Sequence, residues 1–474
     1  MTPGSGGRRR LLVIGLDAVP PEFLFDRFLP QMPNVAKLLK TSTRAPLRTT
    51  DPPITIPAWP VMFTGMDPGS IGFYGFRHRL NQSYHQSYVP SSTLLPVPTL
   101  WTLLSERGRR VGVIGMPPGY PPPKVNGFYI SDFLTPSGKT DYIYPPELRA
   151  ELESRFGPYR FDVTFRADER VQLLKDITTM TEQRFAIAEE MYKREKWDAF
   201  AIHEIGTDRL HHAYWKHFDA THPQHVPGNP FVHSAEEYYR LVDRLIGRLL
   251  ALTDDDTLVM IASDHGSMPM SGCFCINQWL EEQGYLVLKR RPAPGTPLEK
   301  AEVDWSRTTV WGAGGYYARL FFNIKGREPS GSLDPSKVPK VRRELEERLG
   351  RLTGPDGHPM ATRILDPKVI YREVRGDPPD LMVYFDELKW RSAGTMGYPT
   401  HFLMENDTGP DDAVHGFDGV FVIHDPRHPE ERELPTQRIL DVTPTLLTLM
   451  GEAVPPKLQG APMPLGAMMP SAQS

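Results

Sequence analysis

The stretch Thr257-Leu-Val-Met-Ile-Ala-Ser-Asp264-His265-Gly266 joins an apolar run to an acid, an imidazole and a glycine. Continuous apolar and β-branched residues predict a buried strand. In open α/β sheets, ligands gather at the carboxyl ends of the strands, so Asp264 and His265 are predicted to lie at such a crevice. Carboxylate oxygen and imidazole nitrogen are ligands for a zinc-like ion. The alternative is a helix N-cap followed by a surface histidine, and this pair alone does not decide.

A second apolar strand, residues 11–16, ends in Asp17 in the same way. Residues 99–107 then predict a helix and residues 110–115 a strand. This alternation predicts an α/β fold in which a doubly wound, mostly parallel sheet is flanked by helices.

The pattern divides the chain into a core with two interruptions. Residues 10–266 and 415–452 are predicted to form the core, with 116–184 as an insertion over the sheet. Residues 267–414 carry strands without clean β-α alternation, which predicts a smaller inserted α+β region. Residues 1–9 are predicted to be a disordered tail and 453–474 a C-terminal tail.

Composition excludes several classes of function. The 474 residues carry a formal net charge of −4, which gives no electrostatic reason to expect a nucleic-acid polymer as partner. The only cysteines, Cys273 and Cys275, cannot form a disulfide framework, which favours a reducing compartment. No run approaches the ~20 apolar residues of a membrane span. A cytoplasmic protein of open oligomeric state is expected.

Thr55 is the candidate nucleophile. It stands two residues before Pro57, which can open a helix at its first turn. A hydroxyl at the positive end of a helix favours an alkoxide and an incoming phosphate. The alternative is a simple threonine N-cap. A serine-type triad is disfavoured because the chain has no Gly-x-Ser-x-Gly elbow.

Histidines supply the remaining candidate ligands. Asp208 and His212 are four residues apart, so on a helix they share one face and can bind one ion, with His211 as a weaker substitute. A solvated, histidine-rich surface is the alternative. His415, in a predicted loop before a strand at 420–424, can offer a ligand across the sheet, and His401 is a competing donor.

Taken in order, these residues resemble the alkaline phosphatase superfamily, most closely its type I phosphodiesterase/nucleotide pyrophosphatase-like branch. The resemblance rests on the segments that hold Asp17, Thr55, Asp208 with His212, Asp264 with His265, and His415. It spans about residues 10–450. Residues 379–385 and 390–397 also resemble members described only as predicted phosphohydrolase or phosphomutase.

The resemblance implies a phosphohydrolase with two divalent metal ions and a phosphorylated small molecule as substrate. One ion would be held by Asp208, His212 and His415, and the other by Asp17, Asp264, His265 and the Thr55 oxygen. Thr55 would form a phospho-threonine intermediate. A ligand set without thiolate suits Zn²⁺, with Mn²⁺ or Fe²⁺ as alternatives.

One departure concerns the substrate. Pyrophosphatase relatives bind a phosphate oxygen through an asparagine about twenty residues after the nucleophile, where this chain has Phe76. Arg77 or His78 could donate instead, and an arginine suits a more anionic group. A phosphomonoesterase or phosphomutase is therefore an alternative to a phosphodiesterase. A sulfatase is disfavoured by Thr55 and Trp59, and a non-catalytic phosphoryl-binding protein is the alternative of another class.

Overall fold

A ten-stranded sheet forms the centre of the protein, whose residues 8–469 a computed structural model describes. Five adjacent strands run parallel, and antiparallel strands extend both edges. The order across the sheet is Arg432–Glu433, Ser42–Arg48, Asp418–His424, Thr257–Ala262, Arg10–Leu16, Ala199–Glu204, Val111–Ile114, Gly127–Ile130 and Ile143–Tyr144, with Gln437–Arg438 also paired to Ser42–Arg48.

Helices cover both faces of this sheet because its central strands are apolar on both sides. In the strand Arg10–Leu16, Leu12 and Ile14 join one buried cluster, whereas Leu11 and Val13 join the other. The helices packed in the first cluster are Pro33–Leu39, Leu148–Phe156, Arg170–Arg194, Gly206–Phe218 and Ser234–Leu250. Those packed in the second are Thr55–Thr64, Pro68–Ile71, Leu100–Glu106 and Val442–Leu449. The predicted fold class is confirmed.

The segment predicted as an insertion over the sheet instead adds to the sheet. Gly127–Ile130 pairs in parallel with Val111–Ile114, and Ile143–Tyr144 pairs antiparallel beside it. The helix Arg170–Arg194 runs through the predicted boundary at 184. These strands have four and two residues and lie among prolines, so periodicity in the sequence is too short to identify them.

Residues between the core segments form a separate group of strands with its own buried cluster, which includes Phe274, Leu320 and Val383. Its main sheet is antiparallel, in the order Val310–Ala313, Ala318–Phe322, Leu381–Tyr384 and Arg363–Leu365. Helices Ile276–Glu282, Val338–Leu349 and Pro367–Ile370 accompany it. The smaller ladders pair Gly272–Phe274 with Trp390–Ser392 and Phe402–Leu403, Thr296–Pro297 with Thr395–Met396, and His78–Arg79 with Ser87–Tyr88.

Part of the predicted C-terminal tail packs against the core. Met463, Leu465 and Met468 are buried in the cluster behind the Thr55–Thr64 helix, and a 3-10 helix spans Gly466–Met468. Of the predicted N-terminal tail, residues 1–7 lie outside the described residues. None of the helices within residues 8–469 is both long and apolar enough to cross a membrane.

Candidate active site

Three neighbouring parallel strands bring most of the candidate residues to one edge of the sheet. Asp17 follows Arg10–Leu16, and Asp264 and His265 follow the adjacent strand Thr257–Ala262. On the other side, Ala199–Glu204 leads into the helix Gly206–Phe218, whose first turn carries Asp208. Parallel strands place their carboxyl ends together, which is why residues far apart in sequence meet here.

Thr55 lies at the start of a helix, as its position before Pro57 predicts. The helix spans Thr55–Thr64, but Ile56 has a non-helical backbone (φ −112°, ψ 101°), so the regular turns begin after it. The Thr55 side chain is buried. Its Oγ1 lies 3.4 Å from Asp17 Oδ1 and 3.2 Å from His265 Nε2. The hydroxyl therefore sits between a carboxylate and an imidazole.

His415 reaches the site from a strand, so the predicted loop is wrong. Ala413–Gly416 pairs antiparallel with Gly266–Pro269, with Ser267 opposite His415. This two-stranded ladder follows directly after His265, and it stacks the two imidazole rings with centroids 3.9 Å apart. Four-residue strands around a glycine carry no clear period-2 pattern, so only the pairing reveals the strand.

The three histidines present the same nitrogen to the centre. His415 Nδ1 lies 2.8 Å from the Pro53 carbonyl oxygen, and His265 Nδ1 lies 2.9 Å from its neighbour's carbonyl oxygen. His212 Nδ1 lies 2.6 Å from Asp411 Oδ1. Since carbonyl and carboxylate oxygens only accept, each Nδ1 donates, and each Nε2 faces inward. His212 Nε2 and His415 Nε2 lie only 3.3 Å apart.

Two buried carboxylate oxygens in the same space lack a well-oriented hydrogen bond, although His212 Nε2 lies 3.2 Å from one of them, Asp208 Oδ1. They are Asp208 Oδ1 and Asp264 Oδ2. Asp208 Oδ2 instead accepts from the Arg209 guanidinium at 2.6 Å, and Asp264 Oδ1 accepts from the Ala18 amide at 3.3 Å. A buried acceptor without a donor is costly, and several converging acceptors are satisfied together by a cation.

Burial and neighbouring charges shift several pKa values in this cluster. Burial raises the pKa of the Asp264 carboxyl well above its usual range, and the charge of Asp17 raises it further. Burial lowers the pKa of His212, but Asp411, Tyr316 and Asp208 outweigh it and hold that pKa well above its usual value. A binding cation would therefore compete with a proton at each of these two groups.

Two groups of side chains in the described residues could each hold a metal ion. One comprises Asp208, His212 and His415, and the other comprises Asp17, Asp208 and His265. The first group has the same members as one predicted ion site. The second replaces Asp264 with Asp208, although Asp264 Oδ2 lies 3.3 Å from His265 Nε2. Asp208 thus belongs to both groups. Nitrogen and oxygen donors without thiolate fit a zinc-like ion.

The two histidines considered as alternatives have other contacts. His211 is enclosed by the Ala18 carbonyl, the Ser267 hydroxyl and the Tyr239 hydroxyl, all at 3.0–3.1 Å. His401 Nε2 lies 2.9 Å from Glu282 Oε2. Neither belongs to a candidate metal group.

Sequence reasoning missed the residues that hold the ligands in place. Trp59 Nε1 donates to Asp17 Oδ2 at 2.8 Å, and His203 Nε2 lies 2.8 Å from the same oxygen. Asp411 Oδ2 accepts from Arg391 at 2.6 Å and Arg166 at 2.9 Å. Such contacts leave no spacing pattern because both partners are distant in sequence. The one signal in the sequence that could have identified His203 and Asp411 is that each is a polar or charged residue next to apolar residues of a strand.

A cavity of about 650 Å³ borders this cluster, and the predicted substrate-binding residues Arg77 and His78 both line it. Tyr316 lies between the cavity and the cluster of candidate ligands. Its hydroxyl is 3.2 Å from His212 Nε2, and its ring stacks on His415 with centroids 3.8 Å apart. Burial, with the charge of Arg319, lowers the pKa of His78 to about 3, and its Nε2 accepts from the Tyr74 amide at 2.7 Å. His78 is therefore a neutral part of the wall.

Comparisons with known proteins agree with this architecture. A family model of type I phosphodiesterase / nucleotide pyrophosphatase matches residues 11–418. Human ectonucleotide pyrophosphatase/phosphodiesterase 5 is 14% identical with a TM-score of 0.57, and the match covers 94% of this chain and 96% of that one. Two murine structures of the same protein are 13% identical with TM-scores of 0.58 and 0.57 and equal coverage. At this identity the structural likeness shows the fold. No curated protein sequence matches the chain.

Proposed function

We propose that this chain, which belongs to the type I phosphodiesterase / nucleotide pyrophosphatase family, cleaves phosphodiesters through a phospho-threonine intermediate at Thr55 with two bound divalent metal ions. Membership makes it a hydrolase acting on phosphoric ester bonds. The threonine intermediate, the two ions and the preference for diesters are our proposal.

The convergence of three Nε2 atoms and two carboxylate oxygens that lack a well-oriented hydrogen bond carries this proposal. Asp208, His212 and His415 would hold one ion. Asp17, Asp264 and His265 would hold the other, with Asp208 between them and the Thr55 oxygen beside it. Bound divalent ions, probed first as Zn²⁺, supply charge that lowers the pKa of a nearby hydroxyl and neutralises the ester oxygens.

The chain's own groups orient the nucleophile. Thr55 Oγ1 lies 3.4 Å from Asp17 Oδ1 and 3.2 Å from His265 Nε2, two atoms that would hold an ion, so a bound ion would adjoin the hydroxyl and favour loss of its proton. Trp59 and His203 hold the other Asp17 oxygen, which keeps Oδ1 turned toward the hydroxyl. Attack by Thr55 Oγ1 on phosphorus would form the phospho-threonine ester and release one alcohol, which takes up a proton, and water would then release the phosphate monoester and restore the threonine hydroxyl. The murine neighbour in complex with AMP is an inactive threonine-to-alanine variant, which supports a threonine in this role.

Two other functions remain distinct alternatives. Arg77 follows Phe76, the position where pyrophosphatase relatives place an asparagine, and an arginine there favours a more anionic group and hence a phosphomonoesterase or phosphomutase. A non-catalytic metal and phosphoryl-ligand binding protein would keep the ion sites and lose turnover. The cytoplasmic location expected from the two unpaired cysteines stays a prediction.

Paired assays on bis-p-nitrophenyl phosphate and p-nitrophenyl phosphate, with added Zn²⁺ or Mn²⁺, test the proposal. We expect preference for the diester, loss of at least about 10³-fold in kcat for Thr55→Ala, and unchanged metal content measured by elemental analysis. Thr55→Ser, which keeps the hydroxyl, should retain part of the activity. Preference for the monoester would support the first alternative. Metal binding without turnover of either ester would support the non-catalytic one.

A further inference from the structure

The cavity beside the candidate metal site contains two arginines without a counter-charge. Arg77 is exposed and Arg319 is half-buried, and neither has an ion pair among the described residues. Arg319 donates only to backbone, to the Arg77 carbonyl oxygen at 2.5 Å and to the Gly314 carbonyl oxygen at 3.1 Å. Arg77 and Arg319 therefore lie next to each other on the cavity wall.

The other arginines that line this cavity differ because each has a carboxylate partner. Arg79 pairs with Glu328 and Asp377, and Arg209 pairs with Asp162 and Asp208. Arg166 and Arg391 share Asp411. Their charges are therefore committed within the protein, whereas those of Arg77 and Arg319 are available to a ligand.

The residues that line the cavity offer little negative charge to neutralise Arg77 and Arg319. Its acidic members are Glu299 and Asp407, and neither lies within ion-pair distance of Arg77 or Arg319. Asp407 is already bound by the Gly394 and Thr395 amides. Burial lowers the pKa of Arg319, and the nearby charge of Arg77 lowers it as well. A bound anion would relieve this repulsion, and a single guanidinium can bind a phosphate in bidentate fashion.

We propose that Arg77 and Arg319 form a second anion-binding subsite, so that the natural substrate carries a further anionic group in addition to the ester phosphate at the metal site. The inference rests on the proposed function for the position of the first phosphate. The cavity, at about 650 Å³, has room for a small organic ligand that links the two groups. Tyr316 and Ile54 line this cavity and also adjoin His212 and Thr55, so one ligand can reach both places.

Inhibition by linear alkanediol bisphosphates of three to eight carbons, each compared with its own monophosphate, tests this subsite. The assay uses the metal-loaded full chain and bis-p-nitrophenyl phosphate as reporter. We expect the best bisphosphate to inhibit at a concentration about tenfold or more below that of its monophosphate, because charge-assisted hydrogen bonds add to binding. In Arg77→Gln and Arg319→Gln this ratio should fall to about two, the statistical advantage of two equal phosphates.

Arg244→Gln is the matched control, since it removes an exposed arginine from the helix Ser234–Leu250, outside the cavity. Its ratio should equal that of the wild type. The inference is overturned if no bisphosphate exceeds its monophosphate by more than about twofold, or if the preference survives in both variants. Should Arg319→Gln fail to fold in thermal unfolding, the Arg77→Gln result decides alone, because that side chain is exposed.

Direct titration calorimetry separates this inference from the proposed function. Turnover of the reporter without any bisphosphate preference would leave the phosphodiesterase proposal standing and reject the subsite. Absence of turnover together with tighter, Arg77-dependent binding of a bisphosphate would reject the catalytic proposal and retain the subsite.

Discussion

Replacing Asp411 with asparagine should weaken metal binding through a residue that is not itself a predicted ligand. Asp411 Oδ1 accepts the proton of His212 Nδ1 at 2.6 Å, which fixes the ring with Nε2 facing the ion site. Loss of such a carboxylate–histidine contact typically costs 10–100-fold in metal affinity, or about 1.4–2.7 kcal/mol. We expect a weakening of this size for Zn²⁺ in Asp411→Asn, measured by competition with a chromophoric chelator.

The same substitution also removes a buried counter-charge. Asp411 Oδ2 pairs with Arg391 at 2.6 Å, and the two side chains are 0% and 5% exposed. Burial raises the pKa of Asp411, but His212 and Arg391 outweigh it and hold that pKa below its usual range. Breaking one side of a buried pair costs about 3–5 kcal/mol, so the metal-free variant should lose free energy of unfolding by about that amount in urea titrations.

Arg391→Gln separates the two effects. It breaks the same ion pair but leaves the contact between Asp411 and His212 in place. We expect it to lose comparable stability while its metal affinity changes less than about threefold. If Asp411→Asn and Arg391→Gln weaken metal binding equally, or if Asp411→Asn retains its affinity within about twofold, then Asp411 does not act by positioning His212 and the reasoning is wrong.

Two further predictions concern metal uptake and the packing behind the site. The raised pKa values of Asp264 and His212 mean that a binding cation must compete with protons, so metal affinity should rise with pH. After dialysis, the metal content of the protein should be lower at pH 5.5 than at pH 8. Equal metal content at the two pH values would contradict this. Gly419→Ala would place a Cβ 2.3 Å from a backbone carbonyl oxygen, so we expect a loss of about 1–3 kcal/mol in the free energy of unfolding. Gly394→Ala is the control: the nearest atom to its added Cβ lies at 3.6 Å, so the free energy of unfolding should change little.

Local sequence was sufficient for the elements whose patterns are long. The strand Arg10–Leu16 and the helix Leu100–Glu106 follow from their apolar patterns, because each is stabilised by its own periodic contacts with the core. The proline at 57 likewise identified the helix that begins at Thr55. Short elements such as Gly127–Ile130 and Ala413–Gly416 were missed, since four residues hold too little periodicity to distinguish strand from loop.

The sequence by itself determined which residue types are available and where each stands along its strand or helix. That was enough to predict a doubly wound sheet. It was also enough to select Asp17 and Asp264 from the carboxyl ends of parallel strands, Thr55 from the helix start before Pro57, and Asp208 from its helical spacing to His212. Only the tertiary structure decided which atoms face one another. The Nδ1 contacts of His415 and His212, to Pro53 and Asp411, direct their Nε2 atoms inward, and these partners are 362 and 199 residues away in the chain. Contacts of that kind depend on how separate segments pack, and no local pattern encodes them.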